Sequence, residues 1–332
     1  MSPHIYIYSP SGAVRDKAAF KRGVRHLQAH GYAVEIDPSA LHSHQRFAGD
    51  DSTRLAAISR AAASGADVAL TTRGGYGLSR LLPQLPYKAI AKSIAKGTQW
   101  VGFSDFTALQ LALLAQIGAV TWAGPALGED FGAAAGADDI MQACFEDLLL
   151  GQGEGAGWRL GREKANIAAT SVASNNSKTI ALPASNTLAR SDFHIKKAHL
   201  WGGNLSVLAS LVGTPYCPDW KRQTQRGVLF LEDVGEHPYR IERLLTQLLH
   251  MGVLASQQAV VLGQFTGYRA VPHDRGFNFA SVVQWLRSQL KIPVLTNLPF
   301  GHVATKVLLP VGATVSLTVE GSQALLFWGH HH

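Results

Sequence analysis

Residues 101–107 read V-G-F-S-D-F-T, an apolar run that passes through one small hydroxyl, Ser104, into a helical pattern with no loop between. Trp100, Val101 and Phe103 suit a buried strand, while Phe106, Leu109, Leu113 and Ile117 recur on one helical face until Gly118. Ser104 therefore stands between a strand's C-terminal end and a helix N-terminus. Unpaired N–H groups and the positive helix dipole favour an anion at such a place, and ligands collect there in open α/β sheets. Two readings fit: Ser104 caps the helix, or it is a nucleophile on an elbow. The run G-F-S-D-F departs from the usual G-x-S-x-G in that Phe106 replaces the last glycine.

A nucleophilic serine needs a base, and the base needs a group to orient it. V-L-F-L-E-D-V-G-E-H puts Glu232 directly after a four-residue apolar strand, and N-L-P-F-G-H puts His302 in a glycine-containing loop after another. If those strands share a sheet, both side chains face one crevice. Taken singly, Glu232 reads as a helix-capping carboxylate and His302 as a surface imidazole. His237 competes as a base, but E-H-P opens a helix, which assigns it to capping.

The turn R-G-G-Y-G at 73–77 follows a further strand. Its glycines let backbone N–H groups approach a ligand, which suits a phosphate cradle, half of an oxyanion hole, or a plain strand-to-helix turn. Arg73, Gly74 and Tyr76 are candidate substrate contacts in that turn. Asn204 in W-G-G-N-L is another, with a Gly-Asn turn against the core as the alternative. There is no G-x-x-x-x-G-K-[ST], G-x-G-x-x-G or H-E-x-x-H run, and His42 and His44 have no carboxylate scaffold. No cofactor and no catalytic metal are expected.

The elements that would position these groups alternate short apolar runs with amphipathic stretches. Strands are expected at 5–8, 32–36, 68–71 and 100–103, helices at 17–30 and 56–64, and a helix start at 77–82. The fold class is α/β: an N-terminal doubly wound parallel sheet of Rossmann or flavodoxin type over residues 1–150, carrying the nucleophile. The run G-Q-G-E-G-A-G at 151–157 reads as a linker, and 164–190 as hairpins or a mobile surface segment, giving a linker and hairpin region over 151–200. A C-terminal mixed α/β domain rich in β-structure follows over 201–329, carrying Glu232 and His302. Its strands are expected at 228–231, 259–262 and 293–295, its main helix at 238–251, and a terminal hairpin around E-G-S at 320–322. The closing His330, His331 and His332 read as tag residues.

At 332 residues, 46 % hydrophobic and 16 % charged, the chain is an ordinary globular protein long enough for two cores. The net charge of +7 is spread over scattered basic residues, which favours anionic small molecules over nucleic acid. Cys144 and Cys217 form no disulfide framework, which points to a reducing, cytoplasmic setting. The N-terminus reads as a first strand rather than a secretion signal, and the apolar stretch from Ala108 is broken by Gln110, Gln116, Gly118, Gly124 and Pro125, so no membrane span is expected.

The blocks R-F-A-G, T-R-G-G-Y-G-L-S-R-L-L, G-F-S-D-F-T-A-L-Q, W-A-G-P-A-L, W-G-G-N-L, G-T-P, L-E-D-V-G-E-H-P-Y-R-I-E-R and P-F-G-H, in that order, resemble the LD-carboxypeptidases. These serine peptidases include cytosolic muramoyltetrapeptide carboxypeptidases, the branch most similar to this chain, and microcin-immunity peptidases. The resemblance implies a Ser104–Glu232–His302 triad, an oxyanion hole from the backbone N–H groups of Gly75 and Asp105, and a two-domain homodimer. It also implies a murein tetrapeptide substrate that loses its terminal D-Ala in cell-wall recycling. Two alternatives remain: the same triad acting on a microcin-like peptide–nucleotide conjugate, and a non-enzymatic α/β protein binding an anion at the Ser104 helix.

Overall fold

The structure, a computed structural model, describes residues 2–161, 192–219 and 226–329. The segment 164–190, Arg190 included, and the terminal histidines lie outside the described residues. In chain order the N-terminal part holds β1 (His4–Tyr8), α1 (Lys17–Ala29), β2 (Ala33–Ile36), α2 (Asp51–Ala63), β3 (Val68–Thr71), α3 (Tyr87–Ala95), β4 (Gln99–Gly102), α4 (Phe106–Ile117), β5 (Thr121–Ala123) and α5 (Asp139–Leu150). There follow β6 (Gly155–Arg159), β7 (Phe193–Asn204), α6 (Leu205–Leu211), β8 (Val228–Val234), α7 (Pro238–His250), β9 (Ala259–Thr266), α8 (Phe279–Gln289), β10 (Val294–Leu295), β11 (Leu309–Val311), β12 (Thr314–Glu320) and β13 (Gln323–Phe327).

The first sheet runs β2-β1-β3-β4-β5 with all neighbours parallel, and β11 adds to β5 antiparallel. This is a flavodoxin-type strand order, whose chain reverses direction across the sheet between β1 and β3 and leaves a crevice at their C-terminal ends. The residues after β1, β3 and β4, including Gly12, Arg73–Gly75 and Ser104, therefore meet at one rim. The strands are short and buried on both faces, as Val68–Thr71 illustrates, because helices cover each side.

The second sheet runs β10-β9-β8-β7-β12-β13-β6. Its long strand β7 serves both halves: residues 200–204 pair in parallel with β8, and residues 193–199 pair antiparallel with β12. The expected terminal hairpin is present, with Glu320 opposite Gln323 around Gly321. Buried Val101 and Phe103 share one apolar cluster with Phe230 and Phe300, so the two sheets are joined by packed side chains as well as by chain. Among the described residues no helix is long and apolar enough to cross a membrane.

Two local expectations are corrected. The glycine-rich run at 151–157 is not all linker, since Gly155–Arg159 is the edge strand of the second sheet, with Ala156 and Trp158 turned inward and glycines between them on the open face. Glycine at alternate positions hid a period of two that only Ala156 and Trp158 carried. The helix start at 77–82 is instead a pair of short 3-10 turns, Leu78–Arg80 and Leu82–Gln84, because Pro83 removes the N–H that would have carried a longer helix.

Candidate active site

Ser104 lies between β4 and α4 with φ of +63°, in the left-handed region that a side chain other than glycine rarely adopts. The turn joining β4 to α4 takes this angle. It is the tight strand-to-helix bend of an elbow, made without the final glycine because Phe106 is buried in the core. Gly74 from the turn after β3 packs directly on this residue: a Cβ there would lie 2.6 Å from Ser104 Cβ and 2.8 Å from its Oγ. Gly74→Ala is therefore expected to push the hydroxyl out of line and lower kcat by ~10²-fold or more. A thermal melt near that of wild type alongside the kinetic loss would separate this effect from misfolding.

His302 reaches the same point from the loop after β10. Its Nε2 lies 3.1 Å from Ser104 Oγ and its Nδ1 lies 2.8 Å from Glu232 Oε2. With the Nδ1 proton donated to the carboxylate, Nε2 is left with a lone pair to accept the serine proton. Glu232, fully buried, lies within β8 rather than directly after the strand as expected, because parallel pairing with β9 carries β8 on to Val234. It is the last β8 residue paired with β7 and faces Gly301, where a Cβ would lie 3.2 Å from Glu232 Oε2, so the loop closes tightly over the carboxylate at a residue without a side chain. The imidazole is 17 % exposed and packs on Phe103, with ring centroids 4.9 Å apart. Burial alone would lower the imidazole pKa, but the hydrogen bond and charge of Glu232, with Glu129 at longer range, outweigh it and leave the pKa raised above 6.5.

The remaining expected residues fall around this line. Asp105 is buried, its carboxylate accepting from Ser11 and from Leu78 N–H at 2.9 Å, which ties the 77–78 turn to the nucleophile. Burial holds that carboxyl above its usual range against those hydrogen bonds. The backbone N–H groups of Asp105 and Gly75 donate to no protein acceptor among the described residues, so two amides beside Ser104 are free for a ligand. The Arg73 guanidinium packs on Gly75 and Gly12, and Tyr76 is exposed against Phe47 with Arg46 over its ring.

Asn204 is a different matter, because its side chain is committed within the fold. One amide hydrogen goes to Glu232 Oε1 at 3.2 Å and the other to Asp233 Oδ1 at 3.0 Å, while its oxygen caps α6 through Val207 N–H. It holds the second oxygen of Glu232 while His302 takes the first. His237 caps α7 and pairs with Asp274 at 3.1 Å, as its place before Pro238 implied. Two residues that sequence reasoning missed brace the imidazole loop: Lys306 Nζ lies 2.6 Å from Asp130 Oδ1 and 3.8 Å from the centre of the Phe103 ring. Neither sequence context, G-E-D-F or A-T-K-V, carries a signal for the other.

Comparison with known proteins identifies the family. Residues 5–124 match the LD-carboxypeptidase N-terminal domain, and residues 197–317 match the LD-carboxypeptidase C-terminal domain. The chain belongs to the LD-carboxypeptidase family. Among solved structures this LD-carboxypeptidase is similar to a muramoyltetrapeptide carboxypeptidase from Oxalobacter formigenes, with 34 % identity, 99 % of each chain covered and a TM-score of 0.80. It is 25 % identical to a probable murein peptide carboxypeptidase of Bacillus subtilis over 90 % of this chain and 84 % of the relative. It is 27 % identical to the microcin C7 self-immunity protein of Escherichia coli over 76 % of this chain and 71 % of that protein.

Proposed function

We propose that this LD-carboxypeptidase is a serine enzyme that removes the terminal D-Ala of a murein tetrapeptide by cutting an L–D peptide bond. The observation that carries the reading is the unbroken hydrogen-bonded line from Ser104 through His302 to Glu232, reached from a serine held at positive φ. His302 Nε2 takes the Ser104 proton as Oγ attacks the scissile carbonyl carbon, and Glu232 stabilises the imidazolium that forms. The N–H groups of Gly75 and Asp105 hold the oxyanion. The imidazolium then protonates the departing amine, the C–N bond breaks, and an acyl ester remains on Ser104. Water, deprotonated by His302, attacks that ester, and Ser104 recovers its proton. No cofactor or metal enters the cycle.

The substrate class is supported by the muramoyltetrapeptide and murein peptide names of the relatives, and a basic protein of +7 suits an acidic peptide. A homodimer working in the cytoplasm on recycled cell-wall peptides, with the nucleophile from residues 1–150 and the acid and base from residues 201–329, completes the proposal. A second reading, hydrolysis of a microcin-like peptide–nucleotide conjugate by the same triad, is favoured by the likeness to the self-immunity protein. Incubation with a murein tetrapeptide and with such a conjugate, followed by mass analysis, separates them. Release of D-Ala from the tetrapeptide is the expected result, and cleavage of the conjugate alone would overturn it.

The raised imidazole pKa makes a further prediction. The base must be neutral to accept the proton, so kcat/KM is expected to fall with unit slope as pH drops through a value above 6.5, and to level off on the alkaline side. A pH–rate series from 5 to 9 checks the sign, and an acid limb below the ordinary imidazole value of about 6.5 contradicts the arrangement.

A further inference from the structure

We infer that Arg73, flanked by Arg15 and Arg46, is the subsite for the free terminal carboxylate of the peptide and is what restricts the enzyme to chain ends. The inference rests on the peptidase reading above. The Arg73 side chain is only 17 % exposed, yet Glu129, the carboxylate paired with it among the described residues, stays 3.9 Å from Nε, too far for a hydrogen bond. Among the described residues no protein acceptor takes a hydrogen bond from this guanidinium, although it carries five donors. The unpartnered nitrogens are not sealed in the core and stay open to a ligand, and a planar fork of donors matches a carboxylate in a bidentate fashion.

Its place is equally specific. A Cβ on Gly75 would lie 2.7 Å from Arg73 Nη1, and one on Gly12 would collide with the same nitrogen, so two glycines leave a side-chain-free slot for the guanidinium. The neighbouring Gly74 is the residue that touches Ser104, so the guanidinium packs on the same three-residue turn that contacts the serine. The carboxylate of a C-terminal residue lies only one residue beyond the scissile carbonyl, so a cation on this turn is placed among the groups that would meet it.

The surrounding charges point the same way. Burial lowers the Arg73 pKa, Glu129 and, more weakly, Asp105 oppose that, and the charges of Arg15 and Arg46 add to the lowering, so three cations share two carboxylates, neither of them hydrogen-bonded to Arg73. Arg15 and Arg46 are exposed and can turn toward an incoming anion. The charge of Glu129 is also felt at His302, so the slot and the base share one electrostatic neighbour. A substrate carboxylate bonding to Arg73 replaces a 3.9 Å contact with direct hydrogen bonds.

The test compares a murein tetrapeptide ending in a free carboxylate with the same peptide ending in a carboxamide, on the wild type and on Arg73→Gln. Wild type is expected to favour the free acid by ~10²-fold in kcat/KM, chiefly through KM, as for loss of one partner of a buried charge pair. Arg73→Gln is expected to lose much more kcat/KM on the free acid than on the carboxamide, so that most of the preference disappears, and Arg73→Lys to recover part of it. Equal loss on both peptides, or a wild type that does not discriminate between them, overturns the subsite. The wild-type comparison needs no variant to fold. Hydrolysis of neither peptide by wild type removes the murein reading, and the subsite with it.

Discussion

Ser104→Ala is expected to lower kcat on the tetrapeptide by ~10⁴-fold or more while leaving the fold and substrate affinity close to wild type. The hydroxyl is the only atom removed, and its single side-chain partner in the resting protein is His302 Nε2 at 3.1 Å, a hydrogen bond at a partly exposed position. Loss of one such bond costs about 0.5–1.5 kcal/mol in stability, far less than the effect on rate. Because the three groups act as a unit, Ser104→Ala combined with His302→Ala is expected to be little slower than either alone. Turnover, thermal melts and labelling of the wild type by a serine-directed acylating reagent check the three parts. Near-normal hydrolysis by Ser104→Ala sinks the assignment.

The second large effect lies away from the chemistry. Lys306→Met is expected to cost about 3–5 kcal/mol of stability at neutral pH, because it strands a buried carboxylate. Side-chain exposures of 1 % for Lys306 and 3 % for Asp130 leave no water to take over, and Asp130 keeps only the Ala126 N–H at 2.7 Å. Burial already holds the Asp130 pKa above its usual value against the opposing charge of Lys306, and removing that charge raises it further. A carboxyl whose folded pKa exceeds its unfolded one loses stability as pH rises through the folded value. The deficit of Lys306→Met is therefore largest at neutral to alkaline pH and shrinks on acidification through the elevated Asp130 pKa. Replacing both partners, Lys306→Met with Asp130→Leu, is expected to restore most of the stability, as apolar substitutes for buried pairs do. Denaturant melts of the three variants at two pH values measure this, and an equal deficit in the double variant contradicts it.

The pair also bears on activity, since Lys306 braces Phe103, which precedes the nucleophile, and belongs to the loop that carries His302. Thr305 adds a second tie to Asp138 at 2.6 Å. Both bonds cross from the His302 loop to residues around α5 of the N-terminal part. They tie the loop carrying His302 to the part of the chain that carries Ser104.

Much of this was legible before any coordinates. The strand–turn–helix at Ser104, the apolar run before Glu232, the glycine turn at 73–77, the Pro238 helix and the terminal hairpin are written in local patterns whose period is that of the element itself, whereas 201–204, which turn chemistry also suited, is the end of strand β7. Edge strand β6 was not, because glycines at its outward positions erased the alternation that marks a strand. Nor was the role of Asn204, which local turn chemistry left open between ligand and core and whose amide instead holds Glu232 beside Asp233.

Local sequence thus determined which residue types stand at the ends of strands, since chain neighbours alone set a helix face or a strand's alternation. Tertiary structure decided which of those ends meet: Ser104 and His302 are 198 positions apart and Glu232 is 70 from His302, and their contact depends on strand order and register. A shift of one residue in a strand turns every side chain to the opposite face, so no single segment can specify the juxtaposition. The buried Lys306–Asp130 pair is the extreme case, since two charges 176 positions apart become partners only once water has been excluded around both.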